Sequence, residues 1–558
     1  MRPRTGIAAF LTVISAAGVL AATAASATAA GATAAGASTR SAAGAADRGH
    51  ARDLVPGDLL VSESYYSNDP DIVAGQTVLP PGCTSGCGTA VANGDYPYVF
   101  NNDAVDGSFG VTSRLFLREI TPWGRTADVI PVPTSELNTS FSSKSEGALN
   151  LSTDGKYVTF IDYVAPKDTV DASNANTPGV IDPTNPVPGA YYRAVAQLSR
   201  DGKFTFTETN AYSGNNGRAA IEAKIGGKYY IFTAGNAGNG SNPQPDGVIL
   251  GAGAQIITPS DQPEAEQNPG TPTPVGSFNV TQLGGKADKV GKDDNFRGLT
   301  IYNNVLYYTK GSGGNGVDTV YFLDTTGTAC QNGVGLPVPG AQLPTTALSY
   351  DLATLQSGGL PSNMCILKGF PTALAKGATD ASDYPFGIWF ANADTLYVAD
   401  EGAGDNTYAN GSYTAAAAST TAGLQKWVYN AAAGQWELAY TLQNGLNLGV
   451  PYGVAGYPTG LNTSDDGTGL PWAPATDGLR NITGRVNRDG TVTIWAVTST
   501  VSGGGDQGAD PNKLVSITDQ LDATSAPAWE SFYAVVPAAY DQVVRGVSFT
   551  PGTVANDH

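Results

Sequence analysis

Short apolar segments joined by two-residue polar turns recur along this chain. The clearest example covers residues 296–309, where two apolar strands flank an Asn303-Asn304 turn. Two strands cannot bury a face by themselves, so such a hairpin must pack against others. Similar first strands begin at five further positions, namely Glu146, Arg218, Phe386, Arg480 and Arg545.

The hairpins are far enough apart to leave room for two more strands in each interval. These outer strands are predicted, for example, at 194–198 and 204–207, at 319–323 and 365–367, and at 255–257 and 277–280. Repetition of this kind predicts small sheets arranged radially. The pattern resembles six-bladed β-propellers of the sialidase, lactonase or NHL type over nearly the whole mature chain, in architecture only. The expected fold is all-β, with six four-stranded antiparallel blades.

The sixth of these first strands, 545–549, is not followed by a second strand with which it could pair. The first strand of the mature chain, 58–63, has no strand before it. Each would leave an unpaired edge, which invites aggregation. We therefore expect the two segments to pair antiparallel, so that the last blade is made from both ends of the chain.

Composition supports an exported all-β protein. The chain contains 70 Gly, 35 Pro and 26 Tyr in 558 residues, which suits a turn-rich β fold. Residues 1–27 have the basic start, apolar run and small-residue cleavage site of a secretory signal, and residues 28–52 are an Ala/Gly/Ser-rich segment expected to be disordered. Residues 53–558 then form the propeller domain. We expect a secreted, extracellular monomer with no membrane span.

The four cysteines predict disulfides in an exported chain. Cys83 and Cys87 would close a small loop, and Cys330 and Cys365 would tie two strands of one blade. The alternative, a metal site at Cys83 and Cys87, lacks further ligands nearby. The net charge of −19 disfavours nucleic acid as a partner.

Histidine is nearly absent, since the chain has only His50 and His558. Because His50 precedes the predicted domain and His558 is its last residue, the folded body is expected to lack the histidine of a Ser-His-Asp triad or a His-ligated zinc. Any chemistry must use carboxylates, Tyr, Lys, Arg or a hard cation. The connections from second to third strands, and between blades, are long, and in a propeller they emerge on one face. We expect a functional site on that face.

Two sets of charged residues are predicted on this face, around the mouth of the central channel of the propeller. The first-strand starts place Arg218, Arg297, Arg480 and Arg545 in equivalent positions, where guanidiniums bind carboxylate or phosphate groups. The alternative is that these arginines pair with carboxylates of neighbouring blades. Lys310 ends a second strand and joins the ligand-binding set.

The carboxylates form the second set. Glu146 begins a first strand, whereas Asp162 and Asp400, with Glu401 beside it, end second strands. Carboxylates in this arrangement suit general acid/base catalysis or a Ca²⁺ site, and the alternative is a solvated or salt-bridged rim. The leading hypothesis is binding of a polar, anionic ligand of glycan or organophosphate type. The alternatives are a hydrolase or lyase that uses Glu146, Asp162, Asp400 or Glu401, and a structural surface protein.

Overall fold

The structure of the chain is a computed structural model. The described residues are 52–66, 73, 76–79, 84, 88–89, 110–141, 145–181, 185, 187–237, 253–260, 296–311, 317–331, 333–346, 364–373, 375, 383–463, 468–504 and 507–554. They form six small antiparallel sheets in a ring, which is a six-bladed β-propeller. The fold class predicted from the hairpin pattern is confirmed.

In the first three blades, the strands follow one another from the centre of the ring outward. Blade 1 contains Gln542–Phe549, Leu59–Tyr65, Thr112–Ile120 and Thr126–Pro131. Blade 2 contains Asn150–Leu151, Tyr157–Tyr163, Arg193–Ser199 and Phe204–Thr209. Blade 3 contains Gly217–Ile225, Lys228–Gly235 and Gly253–Ile257.

The other three blades follow the same order. Blade 4 contains Phe296–Tyr302, Val305–Lys310, Thr319–Leu323 and Met364–Leu367, extended by Val334–Gly335 and Cys330–Gln331. Blade 5 contains Pro385–Asn392, Thr395–Asp400, Gly423–Asn430 and Gln435–Leu442. Blade 6 contains Ala475–Val486, Thr491–Val501, Leu514–Gln520 and Tyr533–Val536.

A few short elements lie in the connections. Thr139–Ser140 pairs with the start of Thr112–Ile120, and two small hairpins join Val78–Leu79 to Gly88–Thr89 and Tyr408–Ala409 to Ser412–Tyr413. The described helices are Thr414–Ala418 and the 3₁₀ turns Ala172–Asn174 and Gln507–Ala509. Among the described helices, none has the length and apolar character needed to cross a bilayer.

The innermost strands contact one another around the ring, in the order of blades 1 to 6 and back to blade 1. The last strand of the chain, Gln542–Phe549, is the innermost strand of blade 1. It pairs antiparallel with Leu59–Tyr65, and Leu59 stands opposite Phe549. The same strand also packs against the innermost strands of blades 2 and 6.

Apolar side chains between neighbouring blades form the core. One cluster joins blades 3, 4 and 5, and within it Tyr302 stacks on Phe390 with ring centroids 4.5 Å apart. Another joins blades 1 and 6, where Trp495 meets Phe549 edge to face at 5.5 Å. Burial of a large apolar side chain stabilises the fold by about 1.5–3 kcal/mol. Each blade therefore depends on its neighbours.

The disulfide between Cys330 and Cys365 is confirmed and ties the edge of blade 4 to its fourth strand. The predicted pair of Cys83 and Cys87 lies outside the described residues, as do the predicted outer strand 277–280 and the segments 1–27 and 28–51.

Candidate functional site

A β-bulge recurs at the same place in the innermost strands of blades 1, 3, 4, 5 and 6. The pairing register with the second strand shifts at Arg218, at Arg297-Gly298, at Phe386-Gly387, at Arg480-Asn481 and at Arg545. A bulge inserts an extra residue and turns its side chain away from the regular pleat. Four of the five bulges therefore redirect an arginine.

The four bulged arginines converge. Arg297 is close enough to both Arg218 and Arg480 to lower their pKa values by like-charge repulsion, and Arg480 has the same effect on Arg545. Burial is the larger cause in each case, since the four side chains are only 5–7% exposed. The pKa of Arg218 falls to about 9. The cluster is therefore a buried concentration of positive charge.

Glu401 bridges two of these arginines across three blades. One carboxylate oxygen, Oε1, lies 3.6 Å from Nε of Arg297, and Oε2 lies 3.3 Å from Nε of Arg480. Glu401 directly follows the second strand of blade 5, whereas the two arginines belong to blades 4 and 6. The predicted alternative of arginine pairing with a neighbouring carboxylate thus describes part of the cluster.

Ser145 and Glu146 face the cluster from blade 2. The Ser145 hydroxyl accepts hydrogen bonds from Nη1 of Arg218 and from Nη1 of Arg297, the latter at 3.1 Å. Glu146 accepts hydrogen bonds from the Tyr163 hydroxyl and from the Asn216 side-chain amide. Glu146 therefore contributes a second carboxylate, held in place by a tyrosine and an amide.

Arg193 packs against Tyr163 and fixes its position. Its guanidinium donates to backbone carbonyls that include Tyr191 at 2.7 Å and Ala175 at 2.9 Å, and it lies over the Tyr163 ring at 4.9 Å from the centroid. Burial, together with the charge of Glu146, raises the pKa of Tyr163 well above its usual range. Tyr163 is thus a fixed hydrogen-bond donor to Glu146.

Asp162 is the buried carboxyl beside the cluster. It is 1% exposed, and neither of its oxygens accepts a well-formed hydrogen bond from the described residues. Burial and the charge of Glu146 raise its pKa well above the usual range, although the neighbouring Thr139 and Arg545 act in the opposite direction. Burial therefore favours the neutral acid over the carboxylate.

The remaining predicted site residues have protein partners. Asp400 accepts hydrogen bonds from the backbone N–H groups of Tyr384 at 2.8 Å and Gly402 at 2.9 Å, and burial raises its pKa to about 8. Lys310 is fully buried and forms an ion pair with Asp318. Asp400 and Lys310 are thus held by neighbouring protein groups at the ends of second strands.

Sequence reasoning placed the four arginines and Glu146 in equivalent positions but missed Ser145, Arg193 and Asn216, and it did not connect Tyr163 with Glu146. The dipeptides Arg297-Gly298 and Arg545-Gly546 were a signal for the bulges, because glycine at a strand start marks irregular pairing. No local pattern marks Tyr163 or Arg193, since their roles depend on contacts between segments distant in sequence. The described residues contain no group of three or more typical metal ligands.

The chain matches no protein-family model and no curated protein sequence. Solved structures with a similar arrangement were found. A polysaccharide lyase, a PL25 ulvan lyase bound to a saccharide, is 11% identical over 88% of this chain and 97% of its own, with a TM-score of 0.31.

Two further solved structures resemble this chain at a comparable identity and TM-score. A thermostable family-43 glycoside hydrolase is 12% identical over 69% of this chain and 94% of its own, with a TM-score of 0.27. A quinonprotein alcohol dehydrogenase-like protein from Bacteroides thetaiotaomicron VPI-5482 is 12% identical over 79% of this chain and 85% of its own, with a TM-score of 0.25. These likenesses are remote, and the propeller assignment rests on the six sheets of the chain itself.

Proposed function

We propose that this propeller is an extracellular binding protein whose bulged arginines hold the anionic group of a polar ligand. The observation that carries the proposal is the repeated bulge, which turns Arg218, Arg297, Arg480 and Arg545 toward one another. Bulges concentrate next to functional sites, where they re-aim a side chain.

The charge balance of the cluster supports an anionic ligand. Four guanidiniums face the carboxylates of Glu401, Glu146 and Asp477, while burial favours the neutral form of Asp162. Buried positive charge without a matching anion is costly, and an incoming anion would relieve this cost. The ligand therefore carries at least one negative group.

The chemistry of the cluster also defines the ligand class. Guanidiniums bind carboxylate and phosphate oxygens in a fork geometry, and they do so better than ammonium groups. Ser145, Asn216 and Tyr163 add hydroxyl and amide groups of the kind that contact sugar hydroxyls. We infer that the ligand is either a glycan with an acidic sugar or an organophosphate. A titration with one representative of each class distinguishes the two.

The test is calorimetric titration of the full chain with D-glucuronate, with glycerol phosphate and with uncharged D-glucose. We expect one of the two anions to bind and glucose not to bind. Arg297→Ala and Arg545→Ala should each weaken binding by roughly tenfold to a hundredfold, because a hydrogen bond to a charged group contributes about 1.5–3 kcal/mol. Added salt should also weaken binding.

The matched control is Arg488→Ala, which removes an exposed arginine from the turn between the first two strands of blade 6. This variant should bind like the wild type. Thermal melts of the same variants distinguish a loss of binding from a loss of folding. If the Arg297 and Arg545 variants lose stability and binding in the same proportion, or if neither anion binds, the arginines are structural and the proposal fails.

Asp162 favours a second candidate, an enzyme of the hydrolase or lyase class. A buried carboxyl with a raised pKa, beside the carboxylate of Glu146 and the guanidinium of Arg545, has the properties of a general acid. Asp162→Asn would keep the shape but remove the proton. If the protein is such an enzyme, this variant binds the anion normally and loses turnover of an acidic polysaccharide, followed as newly formed reducing ends. Equal turnover in both proteins would exclude Asp162 as the acid.

A further inference from the structure

A cavity opens at the end of the innermost strands away from the arginine cluster, on the face that carries the turns between first and second strands. Its volume is about 500 Å³, within the range of small-molecule sites. All six blades contribute to its lining, for example through Asn150, Ile221, Thr300, Ile388, Thr483 and Ser548. The cavity is therefore a feature of the whole ring.

Asn481 lies between this cavity and the arginine cluster. Its side-chain Oδ1 accepts a hydrogen bond from the backbone N–H of Val547 at 2.6 Å and another from that of Leu149 at 3.4 Å. Asn481 belongs to blade 6, whereas Val547 and Leu149 belong to blades 1 and 2. This bridge between three inner strands follows directly after Arg480. The cavity and the arginine cluster are therefore distinct places along these strands.

Apolar and aromatic side chains form part of the cavity wall, beside polar residues such as Asn150 and Thr483. Ile221, Ile388 and Ile482 are 5–6% exposed. Trp389 is half-buried, and its ring lies on the backbone of Gly484, where an added Cβ would stand 2.7 Å from the nearest ring carbon. The Trp389 ring is thus fixed in position.

Arg485 is the one charged residue among the described residues that line the cavity. Its Nε donates to the Asn487 side chain at 3.4 Å, and its guanidinium lies over the Trp495 ring at 5.7 Å. Within the described part of the chain, its two Nη groups meet neither a carboxylate nor a hydrogen-bond acceptor. A guanidinium that lines a cavity and has no acid partner among the described residues is placed to receive an anion.

We propose that this cavity is a second ligand site, which binds a small aromatic amphiphile with a single anionic group. The anionic group pairs with Arg485, and the ring occupies the space beside Trp389 and the isoleucines. Apolar side chains combined with oriented polar groups are the common chemistry of small-molecule sites. The site is independent of the proposed function at the arginine cluster.

The probe for the test is 8-anilinonaphthalene-1-sulfonate, whose emission rises when it leaves water. The full chain should bind it saturably with a stoichiometry of one. Arg485→Gln should weaken binding at least tenfold. An uncharged probe of similar shape, N-phenyl-1-naphthylamine, should bind the wild type and Arg485→Gln equally, because only the charge contact has been removed.

Thr300→Trp fills the cavity and should abolish binding of both probes, which separates specific occupancy from adhesion to the surface. The matched control is Arg488→Gln at the neighbouring turn, which should bind both probes like the wild type. Equal binding of the sulfonate by wild type, Arg485→Gln and Thr300→Trp would overturn the proposal. Near-ultraviolet circular dichroism confirms that each variant is folded.

Discussion

At the residue scale, glycines beside the bulges determine how closely the inner strands approach. A Cβ on Gly298 would stand 2.1 Å from the carbonyl oxygen of Phe386, and one on Gly387 would stand 2.4 Å from that of Arg480. A Cβ on Gly546 would stand 2.6 Å from the Gly147 carbonyl oxygen. The neighbouring strands can therefore meet backbone to backbone, and this contact brings the bulged arginines together.

The charged positions were visible in the sequence, but the reason for the glycines was not. An Arg-Gly pair such as Arg297-Gly298 has the same appearance in a flexible loop. The requirement for glycine comes from a strand of the next blade, almost ninety residues away in the case of Phe386. The pairing of Glu401 with Arg297 and Arg480 likewise depends on which blades are neighbours in the ring.

Gly387→Ala is the first prediction. Backbone atoms of Arg480 and Ile482 surround the position and cannot move aside like a flexible side chain. We expect a loss of about 1–3 kcal/mol in the free energy of unfolding, as in other overpacked cores. The measurement is chemical denaturation. The matched control is Gly453→Ala, where nothing lies within 4 Å of the added Cβ. Equal stabilities of the two variants would show that the inner strands are not in tight contact.

At the element scale, blades 5 and 6 are joined by a buried polar network. Asp519 lies 3.1 Å from Nζ of Lys426 and accepts hydrogen bonds from the hydroxyls of Tyr440 at 2.6 Å and Tyr397. Lys426 also donates to the Gln520 carbonyl at 2.7 Å. Sequence periodicity predicted these strands but gave no sign of the network, because alternation alone does not distinguish a buried Lys from an exposed one.

Lys426→Met is the second prediction. Removing the cation leaves the Asp519 carboxylate buried between two blades without its ion pair, and this costs about 3–5 kcal/mol of stability. The control is Lys156→Met, since Lys156 is 57% exposed and lies 3.7 Å from Asp154. An exposed pair of this kind contributes little to stability, so this variant should unfold close to the wild-type midpoint. Denaturation midpoints compare the two variants.

The double variant Lys426→Met with Asp519→Asn tests the reason for this loss. If the uncompensated carboxylate is the cause, removing its charge should recover part of the stability. A double variant as unstable as Lys426→Met alone would instead assign the loss to packing and to the carbonyl contacts of the lysine.

At the scale of the whole molecule, the sequence was informative because a propeller repeats one unit. Each hairpin could be compared with the others, so a weak pattern at Arg545 gained meaning from the clear one at Phe296. The cavity beside Arg485 was missed because the comparison of repeats drew attention to the long connections. The short turns on its face carried no insertions, whereas the long connections on the opposite face did. A cavity made from single residues of six strands has no signature within any one strand.

Ending the chain after Val543 is the third prediction. This truncation removes most of Gln542–Phe549, which pairs with Leu59–Tyr65 and packs against the innermost strands of blades 2 and 6. It also removes Arg545 and the Val547 N–H that bonds to Asn481. Because three blades lose an inner contact together, we expect the cooperative melt of the whole protein to disappear or to shift far downward. The control ends the chain after Val554, which retains every described contact of that strand and should melt like the wild type. A protein truncated after Val543 that melts at the wild-type temperature would mean that the ring does not depend on its last strand.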